Sequence, residues 1–116
     1  MQDEVSEAVL VASRGRGPGE LVRPTQLCAT PSGILLVVDA AQQIINVYDQ
    51  EDRFQLAVAA RKGWLGFTLP GGIECLPKQA SEFLANVSSD PEKDWVVVSD
   101  VLGPESLILL SVRRLP

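Results

Sequence analysis

Gly17-Pro-Gly-Glu-Leu-Val-Arg-Pro24 and Gly63-Trp-Leu-Gly-Phe-Thr-Leu-Pro70 follow one pattern. In each, a proline comes seven residues after the first glycine, and the copies lie 46 residues apart (63 − 17 and 70 − 24). Self-similarity at a period of roughly 20–50 residues marks folds that stack one supersecondary unit on the next. At the same offset Leu27, Thr30 and Pro31 map onto Ile73, Leu76 and Pro77. Further on, Ile34-Leu-Leu-Val-Val-Asp39 is echoed by Trp95-Val-Val-Val-Ser-Asp100, now 61 apart (100 − 39), so the second copy carries 15 more residues (61 − 46). The surplus falls in Lys78–Asp94, where Ser88-Ser-Asp-Pro91 marks a long surface loop.

Within each copy, runs of Val, Ile and Leu are bounded by Gly, Pro, Asp and Asn, as in short strands. The expected strands are Ala8–Ser13, Thr25–Thr30, Ile34–Val38, Ile44–Tyr48 and Phe54–Ala59, then Gly72–Leu76, Trp95–Ser99 and Leu107–Val112. Pro31-Ser-Gly33 makes a tight turn, since proline presets φ and glycine accepts positive φ. Asp49-Gln-Glu-Asp52 makes the next. Only Lys78–Leu84 has helical character. The fold class is all-β.

The 116 residues suit a single domain. Apolar runs such as Ile34–Val38 and Leu107–Leu110 are far shorter than the roughly 18 residues of a membrane helix, so no membrane association is expected. The start, Met1-Gln-Asp-Glu, is acidic and lacks the character of a secretory signal, which favours a cytoplasmic setting. Fifteen acids against ten bases give a net charge of −5 and disfavour a general polyanion binder. The absence of histidine removes the commonest general base and metal ligand. No Gly-x-Ser-x-Gly elbow is present, and Gly15-Arg-Gly-Pro-Gly19 lacks the lysine and hydroxyl residue of a phosphate loop. A non-enzymatic chain with no cofactor and no metal is expected. Cys28 and Cys75 are too few for a disulfide framework and fall in expected strands, so they read as buried reduced thiols. Asn86-Val87-Ser88 matches a glycosylation acceptor but reads as an ordinary loop.

Gly-x-Gly-Glu-Leu-x-x-Pro, a strand, Pro-x-Gly, an apolar strand ending in Val38-Asp39, and then Ile45-x-Val47-Tyr48-Asp49 together resemble the NHL repeat. The resemblance covers Gly17–Phe54 and, more weakly, Gly63–Leu110. It implies an NHL-type β-propeller segment built of four-stranded antiparallel blades. Ala8–Ser13 would then be an outer strand, residues 25–59 a full blade, and residues 72–112 a partial blade interrupted by the loop at 78–94. Two departures stand out. Asp39-Ala-Ala-Gln-Gln43 lacks the asparagine and arginine usual after the aspartate, and the second copy stops after its third strand. About two blades cannot close a ring of about six, so an incomplete ring with open edges is expected. A longer propeller, three copies closing head to tail, or docking on another propeller would each cover those edges, and self-association through them follows.

The resemblance also sorts the charges. Connections between blades hold Arg14, Arg16, Arg23, Arg61 and Lys62, beside Trp64. The opposite face holds Asp49, Glu51, Asp52, Asp90, Glu92 and Asp94, offset by Arg53 and Lys93. In NHL proteins the first face binds proteins, which implies a protein partner in a setting such as substrate recognition for ubiquitin ligases. The alternative is single-stranded RNA, with arginines on phosphates and Trp64 stacked on a base. A plainer reading pairs the arginines with Glu20, Asp39, Asp100 or Glu105. A propeller lyase or lactonase is the third reading, and the missing histidines weigh against it. Asp39 and Asp100 end equivalent strands, where a carboxylate caps the following turn by accepting backbone N–H bonds. Glu74, the one acid inside an inner strand, is expected to face an axial channel. Trp95 and Phe67 are expected in the core.

Overall fold

A computed structural model of the chain describes residues 7–58, 67, 69–77, 93–102 and 107–113. Among them there is no helix. β1 (Pro24–Ala29), β2 (Leu35–Asp39), β3 (Ile44–Tyr48) and β4 (Phe54–Val58) form one antiparallel sheet in that order. β5 (Pro70–Cys75), β6 (Lys93–Asp100) and β7 (Leu107–Arg113) form a second antiparallel sheet, also in sequence order. The two sheets do not close into a ring.

The hairpin turns follow from local chemistry. Between β1 and β2, Thr30 N–H donates to the Ile34 carbonyl at 2.8 Å, while Thr30 Oγ1 accepts the Ile34 N–H at 3.1 Å. Gly33 sits there at φ +87°, where a side chain would be strained. Between β3 and β4, Asp49 Oδ1 accepts the N–H groups of Glu51 and Arg53 at 2.8 and 3.0 Å.

The repeat read from sequence recurs in the strand register. Pro24 lies opposite Asp39 and Pro70 opposite Asp100, and each proline is followed by a break in register. Leu27 opposes Val37 as Ile73 opposes Val98, Cys28 opposes Leu36 as Glu74 opposes Val97, and Ala29 opposes Leu35 as Cys75 opposes Val96. Every pair keeps the offsets of 46 and 61.

The core lies between the sheets. Leu36, Val38, Ile45, Val47 and Val58, from one face of the first sheet, meet Val96 and Val98 of the second, with Phe67 among them. Cys28, Ile73, Cys75, Ile108, Leu110 and Val112 pack around this cluster. The contacting faces are not equivalent. Ile73 and Cys75 correspond by register to Leu27 and Ala29, which lie on the far side of the first sheet.

Several expectations are corrected. Residues 8–13 form no strand, and Val9 and Leu10 are 64% and 79% exposed. A strand needs a neighbour for its backbone groups, and the chain here turns back on itself instead. Ser13 and Leu21 are joined by an N–H···O bond of 3.0 Å, and Arg14 and Leu21 by an isolated parallel bridge. Lys93 and Asp94, expected in the inserted loop, open β6, and Asp94 is buried on the face turned to the core. Trp95 is only half-buried, because strand alternation sends it to the opposite face. Glu74 is exposed on that same outward face. Phe67 is buried as expected. The remaining loop residues 78–92, with the expected helical turn, the glycosylation motif, Asp90 and Glu92, lie outside the described residues.

Candidate functional site

The segment from Ser13 to Arg23 carries three of the arginines singled out by sequence, and the first sheet fixes its path. Asp39, at the end of β2, has no solvent exposure. Its Oδ2 accepts the Val22 N–H at 2.7 Å and the Gln42 Nε2 amide at 2.7 Å. Its Oδ1 accepts the N–H groups of Arg23, Ala41 and Gln42 at 3.1, 3.1 and 3.3 Å. Burial pushes the Asp39 carboxyl up. The bonds from the Gln42 side chain and from the Val22, Arg23 and Gln42 amides outweigh burial and hold it below its ordinary value. The aspartate therefore caps its own turn and also ties down the backbone N–H groups on either side of the Val22 Cα.

A second anchor reaches the segment from β3. Tyr48 Oη donates to the Gly19 carbonyl at 2.9 Å and accepts from Asn46 Nδ2 at 3.1 Å. Asn46 Nδ2 also donates to the Glu20 carbonyl at 3.2 Å, joined there by Gln42 Nε2 at 3.3 Å. Asn46 and Tyr48 are both buried, and the Tyr48 and Phe54 rings meet edge to face at 6.0 Å. Gly19 crosses directly above. It adopts φ +78°, and an added Cβ would come within 2.8 Å of Phe54 Cβ. The Glu20 carboxylate folds back to accept the Gly17 N–H at 2.9 Å. Sequence reasoning missed this anchor. The signal was Asn46, an amide inside an otherwise apolar strand.

Arg14, Arg16 and Arg23 are exposed on the segment so held. The Arg14 guanidinium donates to the Val22 carbonyl at 3.1 Å, which brings it to the base of Arg23. Among the described residues none of the three arginines is ion-paired. Glu20 and Asp39, proposed by sequence as their partners, bind backbone N–H groups instead. Arg61, Lys62, Trp64 and Glu105 lie outside the described residues.

Asp100 repeats the role of Asp39 in the second sheet. Its Oδ1 accepts the Leu69 N–H at 2.8 Å, and the Val101 N–H donates to the Leu69 carbonyl at 3.0 Å. At the other end of the first sheet, the β3–β4 turn holds its charges internally. Arg53 pairs with Asp49 at 3.2 Å and with Glu51 at 2.9 Å. Among the described residues no three His, Cys, Asp or Glu side chains converge as a metal ion would need, and no helix is long and apolar enough to cross a membrane. Asp39 and Asp100 stand at the ends of corresponding strands in separate sheets.

Searches of protein-family models and of curated proteins find no match to this chain.

Proposed function

We propose that the chain is a non-catalytic interaction module of NHL propeller type, and that the surface bearing Arg14, Arg16 and Arg23 takes a protein partner. The observation that carries this reading is the double anchoring of one short segment. Asp39 and Tyr48 hold its backbone while its guanidinium groups stand in solvent. A pre-ordered backbone lowers the entropy lost on binding, and arginine is enriched at the energetic centres of protein interfaces. The two equivalent aspartate caps and the shared register support the propeller reading, with the first sheet as one blade and the second as a partial one. In NHL proteins such a face recognises substrates for ubiquitin ligases, and Arg61, Lys62 and Trp64 would extend it.

Single-stranded RNA is the second reading, favoured by the same three arginines standing clear of carboxylates. One experiment separates the two. The chain is immobilised and offered unstructured RNA oligonucleotides at about 50 and 200 mM salt, and separately a cell extract followed by cross-linking and peptide mapping. The protein reading expects cross-links concentrated on residues 14–23, lost in a combined Arg14→Glu, Arg16→Glu, Arg23→Glu variant that keeps its circular dichroism, and weakened by Trp64→Ala. RNA affinity falling steeply with salt, with no cross-links at this surface, replaces it with the RNA reading.

A further inference from the structure

Cys28 and Cys75 are the only cysteines of the chain, and one lies on each sheet. Cys28 is on β1 opposite Leu36, and Cys75 is on β5 opposite Val96. Both are free thiols, half-buried, packed against the same apolar cluster at the seam between the sheets. Strands β1 and β5 pack against each other, and the two thiols lie close enough that each perturbs the titration of the other. The internal repeat does not generate this pair. The position equivalent to Cys28 in the second sheet is Glu74, and that equivalent to Cys75 in the first is Ala29. Two unrelated repeat positions meet because opposite faces of the two sheets pack together.

We propose that Cys28 and Cys75 are a redox modification site that closes, under a small-molecule disulfide such as oxidised glutathione, into a reversible bond stapling the two sheets together. The steps balance as thiol–disulfide exchange. The Cys75 thiolate attacks one sulfur of oxidised glutathione, forming a mixed disulfide and expelling one glutathione thiolate, which takes up a proton. The Cys28 thiol loses its proton to solvent, and its sulfur attacks Cys75 Sγ of the mixed disulfide. This forms the Cys28–Cys75 bond, of about 2.05 Å, and expels the second glutathione. Two protein thiols are oxidised and one small disulfide is reduced. Burial pushes both thiols up, and the nearby Glu74 and, for Cys75, Asp94 carboxylates add to it. The reaction is therefore slow at neutral pH and faster in mild alkali. The product joins positions 47 residues apart (75 − 28) across the seam where the two sheets pack. A cross-link of that span restricts the unfolded chain strongly.

The test equilibrates the full chain, dilute and at mildly alkaline pH, in glutathione buffers of graded redox ratio, both native and unfolded in urea. Samples are acid-quenched, alkylated in denaturant and weighed. The expected product is a monomer about 2 Da lighter, with a Cys28–Cys75 cross-linked peptide. Its formation constant should be at least about tenfold larger for the native chain than for the unfolded one. The thermal midpoint should rise by about 10 °C and return on reduction, with Cys28→Ser and Cys75→Ser each abolishing both effects. Equal constants in the two states, intermolecular dimers, or glutathione retained on both cysteines would overturn the proposal.

Discussion

Arg23 and Asp39 are joined through main chain and side chain together: the Arg23 N–H donates to Asp39 Oδ1 at 3.1 Å, and the Arg23 carbonyl accepts the next residue's N–H, that of Ala40, at 3.1 Å. Leu69 and Asp100 reproduce the arrangement 46 and 61 residues later, with Val101 in place of Ala40. The side chain at the first position plays no part, so one copy can place an arginine there and the other a leucine.

Asp39 gathers five N–H donors and has no exposure. Buried donors stripped of an acceptor each cost about 1–3 kcal/mol. Asp39→Ala should therefore lower stability by about 3 kcal/mol, read as a shift in urea midpoint at unchanged slope.

Acid should act through Asp39. Its carboxyl is held below the ordinary 3.8, so the stabilisation is present in full above that value and disappears as pH falls through the lower folded value. In urea titrations from pH 7 to pH 2, the wild type should lose stability below about pH 4. Asp39→Asn should be less stable at pH 7 and lose less on acidification, the two curves converging. Parallel curves would assign the acid response to other carboxylates.

Tyr48→Phe removes one hydroxyl and leaves the Gly19 carbonyl without its 2.9 Å donor. A loss of about 1–1.5 kcal/mol is expected. Amide exchange of residues 19–21 should quicken while β2 and β3 stay protected, because the hydroxyl serves the overlying segment and not the strand ladder.

Gly19→Ala should be worse than its size suggests. The residue sits at φ +78°, and the new methyl would meet Phe54 Cβ at 2.8 Å, a stretch of side chain with little freedom to withdraw. We expect a loss of about 2–3 kcal/mol, visible in the thermal midpoint, with a changed near-ultraviolet signal as Phe54 and Tyr48 shift.

What the sequence revealed and what it hid divide along physical lines. The seven strands among the described residues were legible because apolar runs between Gly, Pro and Asp report local conformation, and Ile44–Tyr48 matches to the residue. Asp39 was legible as a cap because its carboxylate accepts from Ala41 and Gln42, its neighbours in sequence; its reach to Val22 and Arg23, and that of Asp100 to Leu69, was not. Residues 8–13 misled because an apolar run states only that a strand is favourable; a partner edge decides whether it forms. The Asn46–Tyr48 anchor and the shared packing of Cys28 and Cys75 were hidden for a related reason. Both depend on how one layer lies over another, which no short window of residues encodes. Asp94 was misplaced because β6 begins two residues earlier than its apolar run.

Because the side of the first sheet that bears Cys28 rests on the reverse side of the second, the pile has a direction, like plates all stacked rim upward. Its two outermost surfaces are of opposite kind. One shows Leu27; the other shows Glu74 where its neighbour keeps a cysteine under cover. A layer added beyond Glu74 would have to bury a carboxylate, so growth of the pile at that end is discouraged by charge, while the Leu27 end carries no such guard at that strand.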